Sequence, residues 1–126
     1  MPKKIINRIL VGPKGKLLIG NNVGISNATI VADKLVIIGD NVKIGGGVQI
    51  FDTNFHSTDS AIRCSGQPEP SESIIKKAVV IGNNVFIGTN AIICKGVTIE
   101  DDAIVPAGMI VYKDNARVFS VNLHQS

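Results

Sequence analysis

The chain has 126 residues, 44% of them hydrophobic but only 4% aromatic, which is typical of one domain with an aliphatic core. Its net charge of +3 is mild, and no basic run alternates with aromatic residues, which argues against a nucleic-acid-binding protein. No apolar stretch of about 18 residues and no signal peptide is present, so we expect a cytoplasmic protein that inserts into no membrane.

Residues 1–18 contain apolar side chains without a fixed period and the turn sequence Gly12-Pro13-Lys14-Gly15. We predict that this segment is irregular. It would form an initial coil or cap, because a solenoid must cover the apolar surface at its end.

From residue 19 onward, apolar residues recur every six positions. The first positions are Ile19, Ile25 and Val31, and the fifth positions are Val23, Thr29 and Leu35. An extra residue near Ile37 shifts the register, which resumes at Ile38 and continues to residue 51. A period of six fits neither an α-helix nor a flat strand, and it is a signature of parallel β-helices. We therefore predict an all-β prism of about five or six coils, in which each hexad supplies one face.

The hexads stop at residues 52–74, a polar stretch that contains Gly66, Pro68 and Pro70. We predict that it is a long extruded loop, and loops of this length in compact domains are usually functional. The hexads resume at Ile75 and run to residue 114. Residues 115–126 are predicted to form a C-terminal strand or tail.

Two passages resemble a known family. One is the loop sequence Asp52-Thr53-Asn54-Phe55-His56-Ser57, and the other is VVIGNNVFIG over residues 79–88, followed by KGVTI at 95–99 and PAGMIVYKD at 106–114. Both resemble the hexapeptide-repeat acyltransferases, and most closely the galactoside, maltose and capsule or colanic-sugar O-acetyltransferases. The resemblance implies a left-handed parallel β-helix, acetyl transfer from acetyl-CoA, and a homotrimer with sites at its subunit interfaces.

The resemblance also implies a mechanism. His56 would be the general base that removes a proton from a sugar hydroxyl, which then attacks the thioester directly. Asp52 would orient the imidazolium, unless it is simply a turn-forming residue. A covalent route through Cys64 is a less favoured alternative.

Candidate binding residues follow from matching positions in the family. Coenzyme A would lie against the small or cationic residues Thr89, Ala107, Gly108 and Lys113. The acceptor would contact some of Asn54, Arg63, Phe86, Ser26, Asn27 and Asp33. Arg63 could instead contact a phosphate of the cofactor, or it could only hold the loop in place.

The chain also departs from the family pattern. Pro106 replaces a usual glycine, the segment after the last coil differs, and Ile25 stands where an acceptor-binding asparagine is expected, so the sugar is not specified. An N-acetyltransferase acting on an amino sugar or nucleotide-sugar, and a non-catalytic scaffold, remain alternatives. A zinc hydratase would need about three histidine ligands, whereas the chain has only His56 and His124, so we predict no metal.

Overall fold

The structure, a computed structural model, describes residues 6–113 and the two-residue strand Arg117–Val118. Within these ranges the chain forms short parallel strands and two single-turn helices. The strands are β1 (Arg8–Val11), β2 (Leu17–Ile19), β3 (Gly24–Ile25), β4 (Thr29–Ala32), β5 (Val36–Ile38), β6 (Lys43–Ile44), β7 (Gln49–Phe51), β8 (Val79–Ile81), β9 (Phe86–Ile87), β10 (Ile92–Ile93), β11 (Thr98–Ile99), β12 (Ile104–Val105), β13 (Ile110–Val111) and β14 (Arg117–Val118). The helices are α1 (Ser60–Arg63) and a 3-10 helix (Ser71–Ser73).

Three parallel sheets form the faces of a prism. Sheet A contains β1, β4, β7, β10 and β13; sheet B contains β2, β5, β8, β11 and β14; sheet C contains β3, β6, β9 and β12. Because consecutive strands lie in consecutive sheets, each turn of the chain adds one strand to each face, and there are about five turns. The predicted all-β parallel β-helix with one extruded loop is confirmed.

The core is a set of stacked Ile and Val side chains. In sheet A, Ile30 is aligned with Ile50 and Ile50 with Ile93, and all three are completely buried. Full burial of such a side chain stabilises the fold by about 1.5–3 kcal/mol. The hexad period therefore reflects the need to place one aliphatic side chain per face above its equivalent in the previous turn.

The register of the early hexads differs from the prediction. Ile30, not Val31, occupies the first position in β4, and the buried Ala28 and Val36, not Thr29 and Leu35, occupy the fifth positions. The spacing is therefore five residues from Ile25 to Ile30 and eight from Ile30 to Ile38. The apolar run from Ala28 to Ala32 is compatible with two frames, and pairing with β7 decides between them.

The prism also begins earlier than predicted. Residues 8–11 form β1, which pairs with β4, and Ile9 is aligned with Ile30. The prediction of an irregular segment over residues 1–18 is therefore wrong for this strand, and residues 1–5 lie outside the described ranges. At the other interruption, Ile75 is 41% exposed and lies before β8, so the regular faces resume at Val79.

One corner of the prism receives all the extra chain. We call the connection from sheet A to sheet B the AB corner. Across it, the aligned inward positions are ten residues apart in the first turn (Ile9 to Ile19), eight in the second (Ile30 to Ile38) and 31 in the third (Ile50 to Ile81), but only the six of a regular hexad in the fourth (Ile93 to Ile99). The residues between the strands are 12–16, 33–35, 52–78 and 94–97 respectively, and we call the first three of these segments insertions. The helix α1 and the 3-10 helix both lie in the third of these insertions. Stacking of successive turns therefore brings the three insertions together.

The connection from sheet B to sheet C, the BC corner, is regular by contrast. Asn22, Asn41, Asn84 and Asp102 all adopt positive φ there, a conformation that Asn and Asp tolerate better than most residues. Their side chains form a ladder: Asn22 Nδ2 donates to Asn41 Oδ1 (2.9 Å), Asn41 Nδ2 to Asn84 Oδ1 (3.2 Å) and Asn84 Nδ2 to Asp102 Oδ1 (3.0 Å). The ladder runs past the long insertion without interruption, so the extruded loop leaves the coil geometry intact.

In the described part of the chain, neither helix is long and apolar enough to cross a membrane.

Candidate active site

The extruded loop is fastened at its base. Thr53 and Lys76 form an antiparallel bridge, the Asn54 N–H donates to the Ile75 carbonyl (3.0 Å), and the Lys77 N–H donates to the Asp52 carbonyl (2.9 Å). Because the two ends of the loop are held against each other, the residues between them form a compact unit rather than an open excursion.

A strained turn precedes the histidine. Phe55 has a φ of 67°, a conformation that costs an ordinary residue about 1–2 kcal/mol. Its N–H donates to Thr53 Oγ1 (3.0 Å), and its ring packs on Phe51 with centroids 5.3 Å apart. The His56 N–H then donates to the Asn54 carbonyl (2.8 Å). These contacts offset the strain and fix the direction in which the His56 side chain leaves the backbone.

The imidazole of His56 is held by Glu69. The His56 Nδ1 and Glu69 Oε2 atoms are 2.6 Å apart, and Glu69 Oε1 accepts the Ser57 N–H at 2.6 Å. The His56 side chain is 68% exposed, whereas that of Glu69 is 14% exposed. Glu69 therefore uses one oxygen to fix the backbone beside the histidine and the other to fix the ring.

The protonation of this pair follows from the carboxylate. The hydrogen bond with His56 lowers the pKa of Glu69 most, followed by the Ser57 N–H and smaller effects of the His56 and Arg63 charges, while desolvation opposes them. An ionised carboxylate can only accept hydrogen bonds, so Nδ1 of His56 carries a proton. In the neutral ring, the lone pair is then on Nε2, which is the nitrogen free to accept a proton from a ligand.

The lowered pKa of Glu69 makes loop order dependent on pH. A group whose pKa falls on folding stabilises the folded form above its ordinary pKa, here 4.5, and this contribution disappears as the pH falls through the lowered value. We expect protection of the Ser57 N–H from hydrogen exchange to be lost as the pH drops below 4.5, after correction for intrinsic rates. The hydrogen exchange of the backbone N–H groups of strand β10, measured in the same samples, is the internal reference for the stability of the coil. Loss of protection already above pH 5, or protection that stays unchanged with falling pH until strand β10 itself loses protection, would contradict the assignment.

Arg63 lies at the end of α1 and its Nη1 donates to the Ser57 carbonyl (3.0 Å). This contact corresponds to the predicted alternative in which Arg63 holds the loop in place. Ser57 is 3% exposed, and its backbone N–H and carbonyl are bound by Glu69 and Arg63 respectively. The two charged side chains therefore clamp the residue that follows the histidine.

Asp52 does not orient the imidazole, and that prediction is wrong. Its side chain is completely buried and accepts three backbone N–H groups, from Asp33 (2.8 Å), Lys34 (2.7 Å) and Leu35 (2.7 Å). Asp52 therefore joins the base of the extruded loop to the second-turn insertion at the AB corner. The carboxylate on His56 is Glu69, thirteen residues further along the chain.

Glu69 was not among the predicted site residues, because it occupies no position of the hexad period and belongs to neither of the two passages that resemble the family. It stands between Pro68 and Pro70 in a polar segment with several other charged or hydroxyl-bearing residues. A useful signal would have been the flanking prolines, which restrict the backbone around one acidic residue inside the only long interruption of the hexads.

The structure divides the predicted binding residues between two corners. Asn54, Arg63 and Asp33 lie at the AB corner with His56. The connection from sheet C to sheet A, which we call the CA corner, carries the remaining polar and small candidates: Ser26, Asn27, Thr89, Ala107 and Gly108. Successive turns stack there, as the hydrogen bond from the Gly108 N–H to the Thr89 carbonyl (2.8 Å) illustrates.

Of the last two candidates, one lies on a face of the prism and the other at the AB corner. Phe86 points outward from sheet C in β9 and is 49% exposed, and Lys113 is exposed just beyond β13, where the chain leaves sheet A for sheet B in the fifth turn. Within the described residues, neither side chain makes a hydrogen bond, an ion pair or a ring contact.

Neither cysteine is arranged as a nucleophile. Cys64 is exposed at the end of α1, and the ring nitrogen Nδ1 of His56 is bonded to Glu69. Cys94 is half-buried, and burial raises its pKa, which reduces the fraction of reactive thiolate. Within the described ranges, no group of three His, Cys, Asp or Glu side chains converges as a metal site.

Comparison with known proteins gives a consistent result. Residues 78–113 match the family described as the hexapeptide repeat of succinyl-transferase. Galactoside O-acetyltransferase of Escherichia coli strain K12 is 41% identical over 88 residues, which are 70% of this chain and 40% of that protein. The chain thus spans about two fifths of the length of the curated relatives that it matches first.

Solved structures agree with the sequence relatives. A hexapeptide-repeat-containing acetyltransferase of Vibrio cholerae, complexed with acetyl coenzyme A, has a TM-score of 0.67 and 29% identity, covering 86% of this chain and 60% of its own. A galactoside acetyltransferase in complex with coenzyme A has a TM-score of 0.64 and 33% identity, covering 86% and 55% respectively. The resemblance to hexapeptide-repeat acetyltransferases is thereby confirmed, and the fold matches these left-handed β-helices.

Proposed function

We propose that this chain, which shares hexapeptide repeats and fold with known acetyltransferases, is an acetyl-CoA-dependent O-acetyltransferase acting on a hydroxyl of a sugar or glycan precursor. The observation that carries the proposal is the His56–Glu69 pair. It holds an exposed imidazole through Nδ1 and leaves Nε2 available. A ring held in one tautomer beside a carboxylate is well suited to general base catalysis.

The proposed reaction is a direct transfer. His56 Nε2 removes the proton from the acceptor hydroxyl as that oxygen forms a bond to the thioester carbonyl carbon. The carbon–sulfur bond then breaks, and the imidazolium returns its proton to the departing thiolate, so that the products are the acetyl ester and free coenzyme A. Glu69 stabilises the imidazolium in between, and backbone N–H groups or a nearby polar side chain would hold the oxyanion.

The CA corner suits the thin pantetheine arm of coenzyme A. Thr89, Ala107 and Gly108 are exposed there, and no atom lies within 4 Å of the position a Cβ would take on Gly108. A ligand could therefore approach the backbone closely and bind to main-chain groups. The exposed ammonium of Lys113 is a candidate for a phosphate contact.

The separation of the candidates over two corners supports a homotrimer. In one chain, the histidine loop leaves at the AB corner, whereas three of the four coenzyme A candidates, Thr89, Ala107 and Gly108, line the CA corner. Packing of prisms around a three-fold axis would bring the AB corner of one subunit to the CA corner of the next, and each interface would then complete one site.

We expect light scattering to give three times the chain mass of 13.3 kDa. The state should persist on dilution to the concentrations used for activity measurements, because the site needs two subunits. A monomeric mass in a preparation that transfers acetyl groups would contradict the shared site.

The experiment that tests the function is release of free thiol from acetyl-CoA by the purified chain, offered neutral sugars, amino sugars and nucleotide-sugars in parallel. Release with a hydroxyl acceptor supports the proposal. Release with an amino sugar or nucleotide-sugar alone would favour the N-acetyltransferase instead. Failure to bind coenzyme A by calorimetry would favour a non-catalytic scaffold.

A further inference from the structure

A cavity of about 520 Å³ lies at the AB corner, between the extruded loop and the first two turns. It exists because the three insertions emerge at the same corner and the longest one folds back over the other two. Pro13 and Ile74 give it an apolar side, and its charged lining consists of Lys14, Asp33, Lys34, Glu69 and Lys76. This volume is within the range of small-molecule sites in proteins.

The three lysines of this cavity outnumber its two carboxylates, and none of the three forms an ion pair within residues 6–113. Lys76 Nζ donates to Ser71 Oγ (2.6 Å) and to the Ser71 carbonyl (3.2 Å), both of which are uncharged. Within residues 6–113, neither Lys14 nor Lys34 makes an ion pair. Three ammonium groups therefore converge on one concave surface without a carboxylate bound to any of them.

The two carboxylates of the lining have other roles. Glu69 uses both oxygens on His56 and on the Ser57 backbone. The backbone of Asp33 is fixed by Asp52, and its carboxylate lies beside Gly12, where a larger residue would displace it. An oriented carboxylate with no hydrogen-bond donor of its own is suited to accept hydrogen bonds from ligand hydroxyls.

The cavity also adjoins the proposed base. Glu69 forms part of its wall and contacts His56 at Nδ1, so a ligand bound in the cavity lies one side chain away from the imidazole and must extend past Glu69 to present a hydroxyl to Nε2. We propose, resting on the function proposed above, that the acceptor is a polyhydroxy compound with a carboxylate or phosphate group, which Lys14, Lys34 and Lys76 bind while Asp33 accepts its hydroxyls.

This assignment separates the acceptor from coenzyme A, whose phosphates are also anionic. Three of the four coenzyme A candidates of the same chain, Thr89, Ala107 and Gly108, lie at the CA corner, on a different edge of the prism. The fourth, Lys113, follows β13 in the fifth turn and does not line the cavity. The two ligands are therefore expected to respond to different lysines, and the effect of each variant on coenzyme A binding distinguishes the two sources of negative charge.

The test compares probes that share the glucose ring and differ in the group at C6, which is neutral in one and anionic in the other two. Calorimetry without acetyl-CoA should show glucuronate or glucose 6-phosphate binding at least tenfold more tightly than glucose, and the stronger of the two identifies the anionic group. The preference should weaken as salt is raised, because the lysines of an open cavity are screened. Equal affinity for the three probes would overturn the inference.

Variants assign the effect to the cavity. Lys34→Gln and Lys14→Gln should each reduce the affinity for the charged probe about tenfold and leave that for glucose and coenzyme A within twofold. Lys16→Gln is the matched control, because Lys16 is exposed and close in sequence but does not line the cavity. An equal loss in Lys16→Gln, or a loss of coenzyme A affinity in the cavity variants, would overturn the assignment.

The outcome for the acceptor can be separated from that for the proposed function. Thiol release with neutral sugars, combined with no preference for charged ones, would overturn this inference and leave acetyl transfer standing. Absence of thiol release with every acceptor would overturn the proposed function, and with it the acceptor role of the cavity.

Discussion

We expect His56→Ala to lower kcat for acetyl transfer about a thousandfold, while leaving the fold and the affinity for coenzyme A unchanged. A positioned general base typically contributes a factor of about 10²–10⁴, and no other described side chain replaces the Nε2 lone pair that Glu69 orients. The ring is 68% exposed, so its removal creates no core cavity. Thiol release under saturating acetyl-CoA measures the effect, and circular dichroism checks the fold.

Two further variants make this result specific. His124→Ala changes the only other histidine, whose position lies outside the described residues, and should leave kcat unchanged. Glu69→Gln should lower kcat by about tenfold or more without altering KM for acetyl-CoA, because the amide keeps the size of the side chain but cannot stabilise an imidazolium. A His56→Ala enzyme with wild-type turnover would remove the histidine from the mechanism.

The largest loss of stability is expected for Asp52→Ala. It would leave three backbone N–H groups, those of Asp33, Lys34 and Leu35, without the carboxylate that accepts them in a fully buried position. An unsatisfied buried donor costs about 1–3 kcal/mol, so we expect the free energy of unfolding to fall by about 3–5 kcal/mol. Urea denaturation followed by circular dichroism measures the change.

Asp59→Ala is the matched control for this variant. Asp59 is exposed and accepts a single N–H, that of Ala61, at the start of α1. Its loss should cost about 1 kcal/mol or less, in line with other helix caps. If the two variants lowered stability equally, the hydrogen bonds of Asp52 would not be the strong link between the second-turn and third-turn insertions.

The sequence predicts the fold correctly wherever each face of the prism must bury one aliphatic side chain per turn. Regular hexads such as Ile81, Ile87, Ile93 and Ile99 must place an aliphatic side chain inside every face, and their first positions are all buried as expected. Between Ala28 and Val36 the requirement is ambiguous, because consecutive small or β-branched residues can satisfy more than one frame. Pairing with neighbouring turns, which the local sequence does not contain, selects the frame.

The candidate site could likewise be predicted only in part from the sequence. The loop and His56 could be predicted because the interruption of the period is visible in the sequence, and a polar segment cannot form a face. The carboxylate that holds the histidine could not be predicted. The fold of the loop brings Glu69 to the His56 ring thirteen residues away, whereas the nearer Asp52 accepts backbone N–H groups of the second turn. Proximity in the chain was a poor guide to proximity in space.

The AB corner has a consequence for how proteins of this type diversify. The fourth turn keeps the regular six-residue spacing at this corner, from Ile93 to Ile99, and the Asn ladder at the BC corner is undisturbed by the longest of the three insertions. Chain length at this one edge can therefore vary while the coil beneath keeps its registration. New ligand-binding loops can therefore be inserted at the AB corner in any turn. Ligand selectivity can change in this way while the β-helix that carries the loops stays the same.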